Sequence, residues 1–215
     1  MEMISVFEQK ARVMIRWHES TCVNMPCILQ GTFFGGDLML PIVITFTAFS
    51  NTGKTTYLEK LIPCLKAVGL RIAVVKHDGH DFQADVEGKD SWRFAQAGAE
   101  VVAIASQQQF AMFQYRPVAL ENILSQINDV DLILTEGYKH GPYPKIALYR
   151  TDSGNGLSVP EEECLAIVGD YPKEPPCPVF PLENAQPLAN YLFQLISKQI
   201  SDPFGICGRE DSITD

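Results

Sequence analysis

The stretch of this chain with the clearest chemical meaning runs Ala48, Phe49, Ser50, Asn51, Thr52, Gly53, Lys54, Thr55, Thr56. It matches the phosphate-loop pattern GxxxxGK[ST], except that Ala48 replaces the first glycine. Alanine carries the smallest side chain that fits at the start of such a loop. Successive backbone amides from Asn51 to Thr55 would point into one concavity and add to the positive end of the helix that follows, an arrangement suited to a β-phosphate. Lys54 would bridge the β and γ oxygens as a point charge, and the Thr55 hydroxyl would ligate Mg²⁺. Ser50 and Thr56 complete the expected phosphate-binding set with Asn51, Thr52 and Gly53.

Short strings of this kind also arise by chance, so the flanks decide. Upstream, Pro41 to Phe46 reads as a buried strand. Downstream, a helix from about Lys54 places Leu58, Leu61, Ile62, Leu65 and Val68 on one face and ends at Gly69. Pro63 is expected to kink that helix or free one of its carbonyls.

A phosphate-loop protein needs a second element, an acid at the end of a buried strand facing the metal. Leu132, Ile133, Leu134, Thr135, Glu136 and Gly137 supply it. Glu136 would hold Mg²⁺ through a water or polarise the attacking water, and the Gly137 amide would sense the γ-phosphate. Asp131 competes for the role but precedes the apolar run, which puts it at the other end of the strand. The bland alternative for Glu136 is a solvated carboxylate at a strand end.

The loop Lys76, His77, Asp78, Gly79, His80, Asp81 follows a second strand, and Asp85, Lys89, Asp90 and Ser91 come soon after. Ligands of open α/β sheets bind at that sheet edge. A polar lid for a second anionic ligand or for metal-bound water, with His77 and Asp85 as contacts, is the favoured reading. A Zn²⁺ site from His77, His80 and Asp81 and an ordinary solvated loop are the alternatives. No NKxD string marks base recognition. Asp170, ending the strand Leu165 to Gly169, is the candidate acceptor for guanine N1 and N2, against the alternative of a simple turn residue.

These residues need a frame, and the pattern of the chain provides one. From Leu40 onward, apolar β-rich runs alternate with segments of helical period, which is the signature of an α/β fold with a largely parallel central sheet flanked by helices. Strands are expected at Arg71 to Lys76, Val101 to Ser106, Phe110 to Tyr115, Asp131 to Thr135 and Lys145 to Tyr149. The second and third of these would pair as a hairpin across Gln107 to Gln109. Helices are expected at Ser91 to Ala97, Leu120 to Ile127 and Leu188 to Ile200. Five prolines between Asp170 and Pro181 mark an irregular crossing. The expected organisation is an extension over residues 1–38, a phosphate-loop domain over 39–200 and a frayed tail over 201–215. The extension reads either as a genuine appendage or as an over-extended start ahead of Met39.

The 215 residues are 46% hydrophobic and 20% charged, enough for a full core, and the formal net charge is −9. That charge argues against nucleic acid as a partner, since binding a phosphate backbone needs a basic face. The most apolar window, Gly31 to Ser50, is broken by Gly35, Gly36, Asp37 and Pro41 and is not a membrane span. Six scattered cysteines without a CxxC pair fit reduced thiols in the cytoplasm.

With these residues in view, the chain resembles the MobB family of molybdopterin-guanine dinucleotide biosynthesis adaptor proteins. The likeness runs from about Met39 to Ile200. It is carried by AFSNTGKTTYLEKLIP, VVKHDGHDFQADVEGKDSWRFAQAGA, IASQQ at Ile104 to Gln108, and DLILTEGYKH followed by PKIALYR. The resemblance implies a GTP-binding protein, usually dimeric, with weak GTPase activity. It would assist the guanylyltransferase that attaches GMP to molybdopterin. On that reading Ser50 to Thr56 bind the GTP phosphates, Thr55 and Glu136 serve Mg²⁺, and the Lys76 to Ser91 region faces the pterin or the partner. Two departures stand out. Relatives begin near the position of Met39, and Asn51 stands where relatives often have glycine, a concern if that residue needs positive φ.

No arginine falls within the loop or directly beside Glu136 in the sequence, so slow turnover is expected, with Lys54 and Mg²⁺ carrying the transition-state charge. The competing function is a small-molecule kinase or ligase using the same loop. Arg93 and Arg116 are the arginines in plausible lid segments for such an enzyme. A third reading is a structural adaptor with a vestigial site.

Overall fold

The computed structural model describes residues 41–79 and 82–201, with the side chains of residues 199–201 excepted. The expected extension over residues 1–38, the tail beyond residue 201, and the two candidate ligands His80 and Asp81 lie outside the described residues. The elements are β1 (Ile42–Thr47), α1 (Lys54–Ala67), β2 (Ile72–Lys76), α2 (Asp90–Gln96), β3 (Val101–Ala105), β4 (Phe110–Gln114), α3 (Leu120–Leu124), β5 (Leu132–Glu136), β6 (Lys145–Tyr149), β7 (Cys164–Gly169), β8 (Val179–Phe180) and α4 (Gln186–Ser201). The described residues form two compact units, one from those up to residue 75 together with those from 129 onward, and one from those between 76 and 128.

The larger unit holds a six-stranded sheet in the order β2-β5-β1-β6-β7-β8. β1 pairs in parallel with β5 on one side and β6 on the other, β6 pairs in parallel with β7, and β7 with β8. This is the P-loop NTPase-like α/β architecture. β5 lies between β2 and β1 and is buried at every position of LILTE, with leucine and isoleucine filling its first three places. Alternate residues Ile44, Phe46, Leu132, Leu134, Ile146, Leu148 and Val168 join Leu58, Leu61 and Leu65 of α1 and Leu188 and Leu192 of α4 in one core. Each fully buried leucine there stabilises the fold by about 1.5–3 kcal/mol. The opposite face of the central strands is partly polar, and Thr45 and Thr135 satisfy each other there through a hydroxyl bond of 2.8 Å.

Helix α1 closes as its sequence dictates. Gly69 has φ +94°, and the N–H groups of Gly69 and Leu70 donate to the Lys66 and Leu65 carbonyls. Pro63 lies within the continuous helix. It removes the N–H that would meet the Glu59 carbonyl, and Glu59 is exposed, so water can take that acceptor.

Three sequence expectations change. The proline-rich crossing contains β8, whose two residues pair with Ile167 and Val168. A strand this short, bounded by Pro178 and Pro181, has no periodicity to read. The helix expected to reach Ile127 stops at Leu124 and gives way to turn bonds from Gln126 and Ile127. Finally, β3 and β4 do pair antiparallel, but as a separate two-stranded sheet in the smaller unit and not as members of the main one.

Two stability predictions follow from contacts in the larger unit. The Tyr57 hydroxyl is buried, the residue being 1% exposed, and has no hydrogen-bond partner among the described residues. Burial pushes its pKa up. Removing an unsatisfied group of this kind relieves roughly 1–3 kcal/mol. Tyr57→Phe should therefore raise the melting temperature, by about 2–4 °C per kcal/mol in a chain of this size. A fall on thermal melting would show that the hydroxyl is paired. At the start of β5, the Arg71 N–H donates to Asp131 Oδ2 at 2.7 Å and Arg71 Nη2 to Oδ1 at 2.8 Å. Those bonds hold the Asp131 carboxyl below the usual carboxylate range. A depressed folded pKa contributes stability that is full above the unfolded value and lost as pH falls through the folded one. The melting-temperature deficit of Arg71→Ala should accordingly be larger at pH 7 than at pH 3, and a deficit independent of pH would count against the ion pair.

Candidate functional site

The loop between β1 and α1 is built from two left-handed residues and one side-chain clasp. Asn51 has φ +63° and Gly53, the N-cap of α1, has φ +90°. Asparagine is among the non-glycine residues that best tolerate this region, so the Asn51 substitution noted in the sequence keeps the conformation that glycine would supply. Thr52 is buried and its hydroxyl donates to the Phe49 carbonyl at 2.8 Å, tying the turn shut. Thr52 thus offers an incoming anion its amide and not its hydroxyl.

The main-chain N–H groups of Asn51 through Thr56 donate to no acceptor among the described residues; the first helical bond is from Tyr57 N–H to the Gly53 carbonyl, at 2.9 Å. Helix starts always leave orphan N–H groups, and here the loop adds more of them. Phe49 to Thr56, with Glu136, line a cleft of about 480 Å³. Its size is that of ordinary small-molecule sites.

Glu136 enters this cleft because β5 lies parallel beside β1, with Phe46 opposite Glu136 in register. It is 8% exposed. Lys54 Nζ lies 3.3 Å from Glu136 Oε1, and the Thr55 hydroxyl donates to the same oxygen at 3.4 Å. Lysine, hydroxyl and carboxylate therefore converge on one point. The Thr55 hydroxyl and the Glu136 carboxylate are hard oxygen donors, the set that Mg²⁺ takes together with waters and phosphate oxygens. An arriving phosphate chain would compete with Glu136 for the Lys54 ammonium. Asp131, the rival acid, is held by Arg71 at the far end of β5 and does not reach the cleft.

Other sequence candidates are placed differently. The Gly137 N–H donates to the Phe46 carbonyl at 3.4 Å, so the amide expected to meet a γ-phosphate extends the β5–β1 ladder. Asp170 lies past β7, where its Oδ1 accepts the Thr151 N–H at 3.0 Å. Hydrogen bonds from Thr151, side chain first and then backbone, keep the Asp170 carboxyl below its usual range. Asp170 thus acts as a clasp between the ends of β6 and β7, with its charge retained. His77 and Asp85 belong to the smaller unit. Asp85 Oδ1 accepts the Val86 N–H at 2.8 Å and the Ser91 hydroxyl at 3.0 Å, while its Oδ2 is buried without a partner among the described residues. Arg93 pairs with Asp90 at 3.6 Å, and Arg116 donates to the Gln114 side chain, so both candidate lid arginines engage neighbours within that unit. No group of three or more metal-ligating side chains occurs among the described residues.

One residue near the loop escaped the sequence reading. A Cβ built on Gly53 would lie 3.4 Å from Arg150 Nη2, 3.8 Å from Nε and 3.9 Å from Cζ. Arg150 follows β6, about a hundred residues from the loop in sequence, and becomes its neighbour because β6 pairs with β1. The only available signal was its place at the end of PKIALYR.

Comparison with known proteins agrees with this geometry. The family model described as MobB, molybdopterin guanine dinucleotide synthesis protein B, matches residues 43–170. The molybdopterin-guanine dinucleotide biosynthesis adapter protein of Escherichia coli K12 is 36% identical over 172 residues, covering 76% of this chain and 98% of that protein. The Haemophilus influenzae protein of the same description is 41% identical over 136 residues, covering 61% of this chain and 76% of its own. A crystal structure of Bacillus subtilis MobB superposes with a TM-score of 0.57 at 29% identity, covering 73% of this chain and 97% of that one. With the matched span reaching from β1 through the phosphate loop to Asp170, the chain belongs to the MobB family.

Proposed function

We propose that the chain is a GTP-binding adapter in molybdopterin guanine dinucleotide biosynthesis. It holds GTP and Mg²⁺ in the phosphate loop and assists the guanylyltransferase that converts molybdopterin to its guanine dinucleotide. The observation that carries the nucleotide part is the run of acceptor-free N–H groups from Asn51 to Thr56, closed by Lys54, Thr55 and Glu136. The adapter part rests on family membership and on the printed descriptions of the relatives. Asp170 is the candidate for guanine, and His77 and Asp85 are the candidates for the pterin or the partner enzyme.

Hydrolysis is slow on this reading. Lys54 would neutralise charge on the phosphate oxygens and Mg²⁺, held by Thr55 and Glu136, would supply further positive charge, yet Glu136 is itself paired with Lys54 and no arginine contacts it among the described residues. A transferase partner would supply what is missing. No helix among the described residues is long and apolar enough to cross a membrane, which is compatible with work in the cytoplasm.

A homodimer is part of the proposal. On one face of the β3–β4 hairpin, Val101, Ala103, Ala105, Phe110 and Met112 are exposed, with Phe110 at 68% and Met112 at 41%. Apolar hairpin faces of this kind are usually covered by a partner surface. A second copy is the occupant favoured here, in line with what the family resemblance implies.

Two measurements test the proposal. Titration of GTP, GDP and ATP with Mg²⁺ should show GTP binding tighter than ATP, and Lys54→Ala should weaken GTP by about tenfold or more, as expected for loss of a charge-assisted phosphate contact. Equal binding of both nucleotides, or rapid GTP hydrolysis by the isolated protein, would overturn the reading. In light scattering the chain should run at twice its monomer mass, and a Phe110→Lys, Met112→Lys double variant should run as a monomer. A monomeric parent chain would refute the dimer.

A further inference from the structure

We infer that Arg150 is a nucleotide-binding residue that contacts the α- and β-phosphate portion of the ligand, on the flank of the loop opposite the metal. The inference rests on the proposed nucleotide reading and deepens it.

Sheet order fixes the direction in which a nucleotide must lie. β5 and β6 border β1 on opposite sides. Thr55 and Glu136, which would hold Mg²⁺ at the γ-phosphate end of the ligand, are on the β5 side. The γ end of the ligand therefore points toward β5. A nucleotide is longer than a cleft lined by one loop and one carboxylate, so its α-phosphate and nucleoside must leave over the β6 and β7 side. Arg150 and Asp170 stand at the ends of those two strands, joined through the bond from Thr151 N–H to Asp170 Oδ1.

The electrostatics point the same way. The Arg150 guanidinium packs against Gly53, the N-cap of α1, where the helix dipole and the acceptor-free amides are already positive. A second cation at such a place is unfavourable unless an anion joins it. The Arg150 side chain has no carboxylate within ion-pair distance among the described residues, although the arginine helps to keep Asp170 charged. Lys54, by contrast, is already met by Glu136. Arg150 is thus the exposed cation beside the cradle with donors to spare, and a planar guanidinium suits bidentate contact with phosphate oxygens.

A contact to the α- and β-phosphates predicts a specific pattern, because those groups are shared by the di- and triphosphate. Arg150→Ala should weaken GTP and GDP by a similar factor, about tenfold. The ratio of the two affinities should stay as in the parent chain, and inorganic pyrophosphate should be weakened as well. Arg150→Lys should recover part of the loss. Arg150→Gln keeps the stem that packs on Gly53 and carries the test if the alanine variant does not fold. Unchanged GTP and GDP affinity in the glutamine or alanine variant would overturn the inference and leave Arg150 as packing alone. A loss confined to GTP would overturn it in favour of a γ-phosphate contact. The parent chain and Lys54→Ala run alongside: failure of the parent to bind any nucleotide refutes the nucleotide reading itself, and the role of Arg150 with it.

Discussion

A row of main-chain N–H groups without acceptors governs the rest of this molecule. An N–H group without a protein acceptor is met by water or by a ligand, and several of them in one turn at a helix start suit an anion. The loop from Asn51 to Thr56 keeps that arrangement by several devices at once. β1 anchors its entry deep in the core, the Thr52 hydroxyl ties it to the Phe49 carbonyl, and Asn51 and Gly53 take left-handed φ values. One of those positions holds asparagine, which tolerates the left-handed region better than most other residues with a side chain.

Charge is distributed along the sheet with the same logic. Each parallel strand has a structural end and a ligand end, and β5 carries an acid at both. Asp131 is consumed at the structural end by Arg71, while Glu136 at the ligand end is met by Lys54 and Thr55. Two carboxylates on one strand are thus given different partners by position alone. Lys54 and the main-chain amides at the start of α1 offer an anion local partners although the whole chain carries a formal net charge of −9.

The smaller unit has a different character. Its hairpin displays apolar side chains on one face, and the segment ahead of α2 carries His77, Asp78, Asp85 and Lys89. Asp85 braces that loop through Val86 and Ser91 while keeping one oxygen buried without a partner among the described residues. Such a unit suits recognition of other molecules, and the phosphate loop in the larger unit suits a nucleotide. An adapter needs both capacities.

Local rules made part of this legible in advance. The phosphate loop, its flanking strand and helix, the acid at the end of β5 and the choice between Asp131 and Glu136 all follow from residue types within a few positions of one another. Propensity, capping and strand polarity act over that range. The order of strands does not, because it depends on which buried faces find each other, and so Arg150 was invisible as a neighbour of Gly53 until β6 was seen beside β1. The same holds for the two-residue β8, the detachment of the β3–β4 hairpin into its own sheet, and the use of Asp170 as a clasp on Thr151. Sequence determined the chemistry available to this protein, and tertiary packing decided which distant groups stand within reach of one another, since only a folded sheet brings strand ends a hundred residues apart to one edge.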